Sequence, residues 1–399
     1  MAQLCLYLPP FSPDYSGAGA LLFDLKSLTV MHDAGGCTGN YTGHDEPRWY
    51  GSNATVFCSA LRMIDAIMGN DEKLKNNVIA ALDDLQPELI TLIGSPVPMV
   101  IGMDFKGLAV EIEAETQIPA IGIETTGTEY YNIGEFKAAK TLLEKFVPPL
   151  PPKSGARDAK TLSCNILGAT PLDYECVEDI DALERDLAAH EITTILRFGY
   201  GYTLQDLKRA ASADINIAVS HAGYLIAKYM EETYGIPYLC GFPFGPEAPQ
   251  ALIAQLRSVC QTGRSAQFDF TPSVDAYSRF AGKNILVLGD QVIASSLRTA
   301  LGAPASVTVG CLFGLDESLA MPGDLMLRDE DAIMRAVNEE RFDVIIGDPL
   351  LRTLLSSSNT GRIFCSNPQF AISGDLHKRD ARPLYGEHFQ TWMQATATS

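Results

Sequence analysis

No CxxC pair occurs anywhere in this chain, although it carries nine cysteines among its 399 residues. Neither a zinc ribbon nor a ferredoxin-type cluster loop can be built from local spacing. An odd number of thiols over so long a chain also fails to make the dense disulfide framework of a small secreted domain, so reduced thiols are expected. No GxxxxGK[ST] loop is present, which excludes ATP hydrolysis by that device. A GxSxG elbow and an HExxH pair are absent too. Ser16-Gly17-Ala18-Gly19-Ala20 lacks the third glycine of a dinucleotide fingerprint and follows Pro and Asp rather than a strand, which argues against nicotinamide binding. Basic residues are few, 30 against 49 acidic, and the formal net charge of −19 without a basic cluster argues against nucleic acid as a partner. No apolar run approaches the roughly 18 residues of a membrane span. The first ten residues include Gln3, Pro9 and Pro10 without a basic start, which argues against a signal peptide. A cytoplasmic protein is expected.

What is present is a thiol on a glycine loop. Met31-His32-Asp33-Ala34-Gly35-Gly36-Cys37-Thr38-Gly39-Asn40-Tyr41 leaves few side chains in the way, so a bulky group can approach the backbone while Cys37 points at it. An iron-sulfur cluster suits such a loop, because thiolates hold the iron and backbone N–H groups tune it. A small buried hydrophobe in a strand-to-helix turn suits it equally well. Asp45, Glu46 and Arg48 nearby read as a solvated or self-paired charge group with room for a supporting role beside Cys37. The six histidines do not cluster; His221 and His388 can face a cleft, but a surface or satisfied core position explains each better. No residue is singled out as catalytic.

Length gives roughly two or three domains, and the pattern gives three. In residues 1–153 an extended lead-in carrying Cys5 precedes a helix-like stretch from Ser16 to Leu28, a helical spacing from Thr55 to Met68 stopped at Gly69-Asn70, and a further helix from Asp71. The apolar run Leu89–Ile93 and the segment Ala120–Ile123 then read as buried parallel strands separated by a helix near Asp104–Thr116. Proline-rich residues 147–155 read as a connection. Residues 154–280 restart the alternation with strands at Leu162–Leu167, Thr193–Phe198 and Ile215–Val219, and residues 281–399 repeat it with strands at Lys283–Asp290, Asp343–Asp348 and Arg362–Cys365. The fold class is α/β, three Rossmann-like, doubly wound parallel-sheet domains around a central cleft.

Beside that plan, the chain resembles the nitrogenase component 1 family, the molybdenum-iron protein subunits and their tetrapyrrole-reducing relatives. Gly35-Gly36-Cys37 resembles the family's cluster loop, and Cys5 the earlier cysteine on the lead-in. Gly69–Leu74 is similar to "FGGxxKL", Ile101-Gly102-Met103-Asp104 to "IGDD", Met230–Pro237 to "MEExYGIP" and Lys283–Asp290 to "GKRVxxxGD". The departures are specific. The third cluster cysteine is replaced within Gly94-Ser95-Pro96-Val97-Pro98, and the residue holding the active-site cofactor falls near Val219 or Ser220, neither a good iron ligand. Cys58, at no standard ligand position, is offered as a replacement thiolate on the helix after the loop. The resemblance implies an oxidoreductase subunit, Gly36 and Cys37 binding the cofactor, and Cys37, Cys5 and Cys58 ligating a 4Fe-4S or larger cluster shared across a subunit interface. It implies as partners an identical or homologous component 1 subunit, in a homodimer or heterotetramer, an ATP-dependent iron protein and a small-molecule substrate. A scaffold for metallocluster or tetrapyrrole assembly and a cluster-free α/β small-molecule binder are the alternatives.

Overall fold

Leu89-Ile90-Thr91-Leu92-Ile93 is buried at every position, as a strand with neighbours on both sides and layers on both faces must be. The structure, a computed structural model, describes residues 6–149, 162–273, 280–302, 306–356 and 361–395. The first sheet contains β1 (Ser27–Met31), β2 (Thr55–Cys58), β3 (Leu89–Ile93) and β4 (Ala120–Ile123), all parallel in the order β2-β1-β3-β4. Its helices are α1 (Asp14–Leu22), α2 (Gly36–Asn40), α3 (Met63–Met68), α4 (Asp71–Ala81), α5 (Pro96–Val100), α6 (Phe105–Thr116) and α7 (Tyr131–Phe146).

Two expectations fail in this unit. The helix-like stretch from Ser16 ends at Leu22, and Ser27 already opens β1. Thr55-Val56-Phe57-Cys58 is not helical: it pairs in parallel register with Leu28–Met31, as β-branched and aromatic residues favour. The chain then turns through Ala60 at positive φ, and only Met63–Met68 forms a helix, closed by left-handed Gly69 as anticipated. Cys58 therefore ends a strand instead of riding on a helix. Cys5 and residues 150–155 of the expected connection lie outside the described residues.

The second sheet contains β5 (Leu162–Leu167), β6 (Ile192–Phe198), β7 (Ile215–Ala218), β8 (Tyr238–Cys240) and β9 (Ala266–Gln267), ordered β6-β5-β7-β8-β9. It is covered by α8 (Val177–Ala189), α9 (Leu204–Lys208), α10 (His221–Tyr234) and α11 (Ala248–Thr262). The third contains β10 (Asn284–Gly289), β11 (Ser306–Cys311), β12 (Leu325–Met326), β13 (Val344–Gly347) and β14 (Ile363–Ser366), ordered β12-β11-β10-β13-β14, with α12 (Gln291–Leu301), α13 (Glu330–Asn338), α14 (Phe370–Ser373) and α15 (His388–Ala395). Every ladder is parallel.

The units are tied across their boundaries. Glu330 at the start of α13 accepts the N–H groups of Leu6, Tyr7 and Leu8. Asp179 of α8 accepts those of Leu384 and Tyr385, which carries the tail back onto the second unit. Each sheet reverses direction beside its first strand, between β1 and β3, β5 and β7, and β10 and β13. Ligands of doubly wound sheets bind at the carboxyl ends of strands at such switch points. Among the described residues, no helix is long and apolar enough to cross a membrane.

Candidate functional site

The loop leaving β1 is organised by Asp33. Its Oδ2 accepts from the N–H of Gly35 at 2.8 Å and of Thr38 at 3.0 Å, which caps the short helix bearing Cys37. Gly35 sits at φ 127, a conformation that side chains disfavour. The carbonyl of the same Asp33 accepts from Cys58 Sγ at 3.3 Å and from the N–H of Leu61 at 2.8 Å. One residue thus holds both thiols at the carboxyl edge of the first sheet. Both are free and partly exposed. Among the described residues, and leaving aside each glycine's chain neighbours and own helix backbone, no atom lies within 4 Å of where a Cβ would stand at Gly35, Gly36 or Gly39, so the space beside Cys37 is open.

Beneath the loop, α1 supplies polar support. The Tyr15 hydroxyl faces the Cys37 thiol and Asn40. Buried Asp45 accepts from Ser12 Oγ at 3.1 Å, Ser16 Oγ at 2.6 Å, Asn40 Nδ2 at 2.7 Å and His44 Nδ1 at 3.2 Å. Glu46 pairs with Arg48 at 2.7 Å, and Arg48 continues to Asp24 at 2.9 Å beneath the ring of Phe23. The charge group is self-paired as anticipated, but Asp45 and Glu46 are buried and not solvated. Burial pushes the Cys37 thiol up, Asp33 and Cys58 add to the rise, and Tyr15 opposes it. Ser95 is also buried, and its hydroxyl donates to the His32 carbonyl at 2.8 Å.

The donor set in this one chain is small. Among the described residues, no three His, Cys, Asp or Glu side chains are placed to hold one metal ion. Two thiols with open space between loop and solvent fit part of an iron-sulfur ligand set, with the remainder supplied from elsewhere. The elements leaving β2 and β3 beside them expose large apolar side chains: Met63, Ile64, Ile67 and Met68 on α3, and Val97, Met99 and Val100 on α5.

A second polar group, which the sequence pattern does not reveal, fills the centre. Asn132 and Glu135 of α7 meet Thr170 and Asp173 after β5, His221 at the start of α10 and Asp290 after β10. Thr170 Oγ1 donates to Glu135 at 2.5 Å and the Tyr131 hydroxyl to Asp173 at 2.5 Å. The His221 N–H donates to Asp290 at 3.0 Å, and Asn132 Nδ2 lies 2.8 Å from His221 Nδ1. Burial, with Asp290 against Thr170, pushes Glu135 up to about 8; burial with Glu135 and Asp290 raises Asp173 also. His221 is a satisfied buried histidine, held toward neutrality by burial. Ser220 caps α10 through the N–H of Gly223. The expected central cleft is thus packed with side chains. An open cavity of about 740 Å³ lies instead between the second and third units, lined by Phe268, Phe270, Val292 and Arg298 among others.

Three parallel sheets joined at their switch points, with a thiol on a glycine loop at the first, define an α/β protein of the nitrogenase-like class. A sequence profile of the nitrogenase component 1 type oxidoreductases matches residues 14–379, and the chain belongs to that family. It is 23% identical over 321 residues to one of the subunits of the light-independent protochlorophyllide reductase of Pyropia yezoensis, covering 74% of this chain and 60% of that one. It is 25% identical over 243 residues to the nitrogenase iron-molybdenum cofactor biosynthesis protein NifE of Methanosarcina barkeri, covering 58% and 52% respectively. The chain thus spans 60% or less of the length of these two curated relatives. A solved structure of nitrogenase Cp1 at pH 6.5 superposes with a TM-score of 0.72 at 17% identity, over 100% of this chain and 93% of that one, and shares the fold.

Proposed function

We propose that this chain is a cytoplasmic subunit of a nitrogenase-like two-component reductase. An iron-sulfur cluster held by Cys37, with Cys58 and Cys5 as further thiolates and Gly36 giving room, takes single electrons from an ATP-dependent iron protein and passes them on. The observation carrying this reading is the partly exposed Cys37 thiol on a loop with open space at Gly35, Gly36 and Gly39, at a sheet edge ringed by exposed apolar residues. Too few donors among the described residues, beside an apolar surface, support a cluster shared with a second component 1 subunit, identical or homologous. The packed centre and the non-ligating Val219 and Ser220 support an electron-relaying role, with catalysis shared with the partner. The cavity of about 740 Å³ has the size of a small-molecule site.

The deciding measurement is iron and acid-labile sulfide in anaerobically purified protein, with visible and EPR spectra, for the wild type beside Cys37→Ala and Cys58→Ala. Brown wild type that bleaches in Cys37→Ala is expected, with partial loss in Cys58→Ala. Wild type without iron, even when produced with a partner subunit and cluster-assembly machinery, overturns the relay and favours the cluster-free binder. The likeness to NifE supports a second reading, a scaffold on which a cluster or tetrapyrrole is assembled. On that reading this chain would bind iron but turn over nothing when given ATP and the reductase.

A further inference from the structure

Among the described residues, Asn132 Oδ1, Glu135 Oε2, Asp173 Oδ2 and Glu175 Oε1 are shielded from solvent and have no hydrogen-bond partner; Asn132 and Glu135 are fully buried, Asp173 and Glu175 partly so. Shielded, unpaired oxygens call for a proton, a water or an ion. Two of these residues, Asp173 and Glu175, line a cavity of about 40 Å³ whose wall also includes Asp179, Asn367, Gln369 and exposed Arg382. One water needs only roughly 10–15 Å³ and two to four polar partners. The cavity therefore has the size and lining to hold water between the surface at Arg382 and Asp173 at the centre.

We propose that this cavity is a proton inlet and that Asp173 is the carboxyl it loads. Tyr131 donates to Oδ1 of Asp173, and Oδ2, beside the Ser220 hydroxyl, is the receiving atom. In the loading step a water protonated from solvent gives its proton to Oδ2: the donor O–H bond breaks, its electron pair stays on the water oxygen, and the Oδ2–H bond forms. Burial and the facing Glu135 and Asp290 favour the loaded state, against the Tyr131 and Ser220 hydroxyls. Along the inlet, burial and the surrounding Asp348, Asp375 and Asp380 push Glu175 up to about 8, against Lys378. Burial and Glu178 push Asp179 up to about 7, against the N–H groups of Tyr385 and Leu384. The purpose rests on the reductase reading, since reductions consume protons with electrons, but the inlet itself is testable without a cluster.

The test is infrared difference spectroscopy of the full chain at neutral pH. The wild type is expected to show a protonated-carboxyl band that Asp173→Asn removes, with Glu135→Gln identifying its neighbour's band. On mixing into D2O the Asp173 band shifts within the mixing time, and Ala381→Phe, which fills the cavity, slows that shift by an order of magnitude. If that variant does not fold, Glu175→Gln removes the carrier without adding bulk, and the same slowing is expected. Absence of an Asp173 band, or exchange as fast in the cavity variant as in the wild type, overturns the inlet. Iron content is read separately, so colourless protein defeats the relay and leaves the inlet standing, and the converse holds.

Discussion

Glu135 is a fully buried carboxyl with one oxygen unpaired, and its charge state sets a pH dependence for the whole fold. Held up at about 8 against an ordinary 4.5, it keeps in the folded protein a proton that the unfolded chain releases. Stability therefore falls as pH rises from about 4.5 to about 8, by up to ~1.4 kcal/mol per pH unit for one proton, and levels off above. Glu135→Gln keeps an acceptor for Thr170 and cannot ionise. Its melting temperature is expected to gain on the wild type progressively between about pH 5 and about pH 8; parallel curves would refute the assignment. Gly36 poses the complementary question, because among the described residues nothing beyond its own chain neighbours and helix backbone stands near its Cβ position and its φ is not positive. Gly36→Ala should leave melting unchanged and lower the iron content of anaerobically prepared protein. A loss of both would mean the glycine serves folding and not a bound group.

Helices α1 and α7 meet so closely that backbone touches backbone. A Cβ at Gly17 would collide with the Tyr131 carbonyl, and one at Gly134 with the Asp14 carbonyl. Gly17, read against a dinucleotide fingerprint, thus serves helix packing together with Gly134, and this packing seats Tyr15 and Ser16 under the Cys37 loop and Asn132 and Glu135 at the centre. Gly134→Ala should cost at least ~1–3 kcal/mol, measured by denaturant unfolding, and lower iron retention with it. Elements with strong, unbroken patterns were legible: Leu89–Ile93 as a buried strand, Phe105–Thr116 as a helix behind its Asp104 cap, and Gly69 as a stop. The strand β2 was not, because Val56, Ala60 and Met63 happen to fall at helical spacing while the parallel pairing that fixes Thr55–Cys58 lies in β1. Cys37 could be singled out because its glycines are adjacent in sequence. Glu135, Asp173 and Asp290 could not, and His221 stood out only as one of two histidines able to face a cleft, since only the fold brings these residues together.

A net charge of −19 makes copies of this chain repel, so association requires a surface where apolar contact outweighs that field. The carboxyl end of the first sheet offers one. On α3, Met63 is 81%, Ile67 71% and Met68 72% exposed, and its one acidic side chain, Asp65, is engaged by Lys73. Val100 on α5 is 76% exposed at the same end as Cys37 and Cys58. Patches of this kind mark interaction surfaces, and covering this one would also seal the open side of the thiol loop against solvent. Ile64→Glu with Ile67→Glu is therefore expected to dissociate the assembly in sedimentation experiments and to strip iron, although Cys37 and Cys58 are untouched. The isolated chain should melt as the wild type does at equal dilution, because neither side chain contributes to the core. Unchanged assembly with unchanged iron would place the subunit contact, and the missing cluster ligands, on another face.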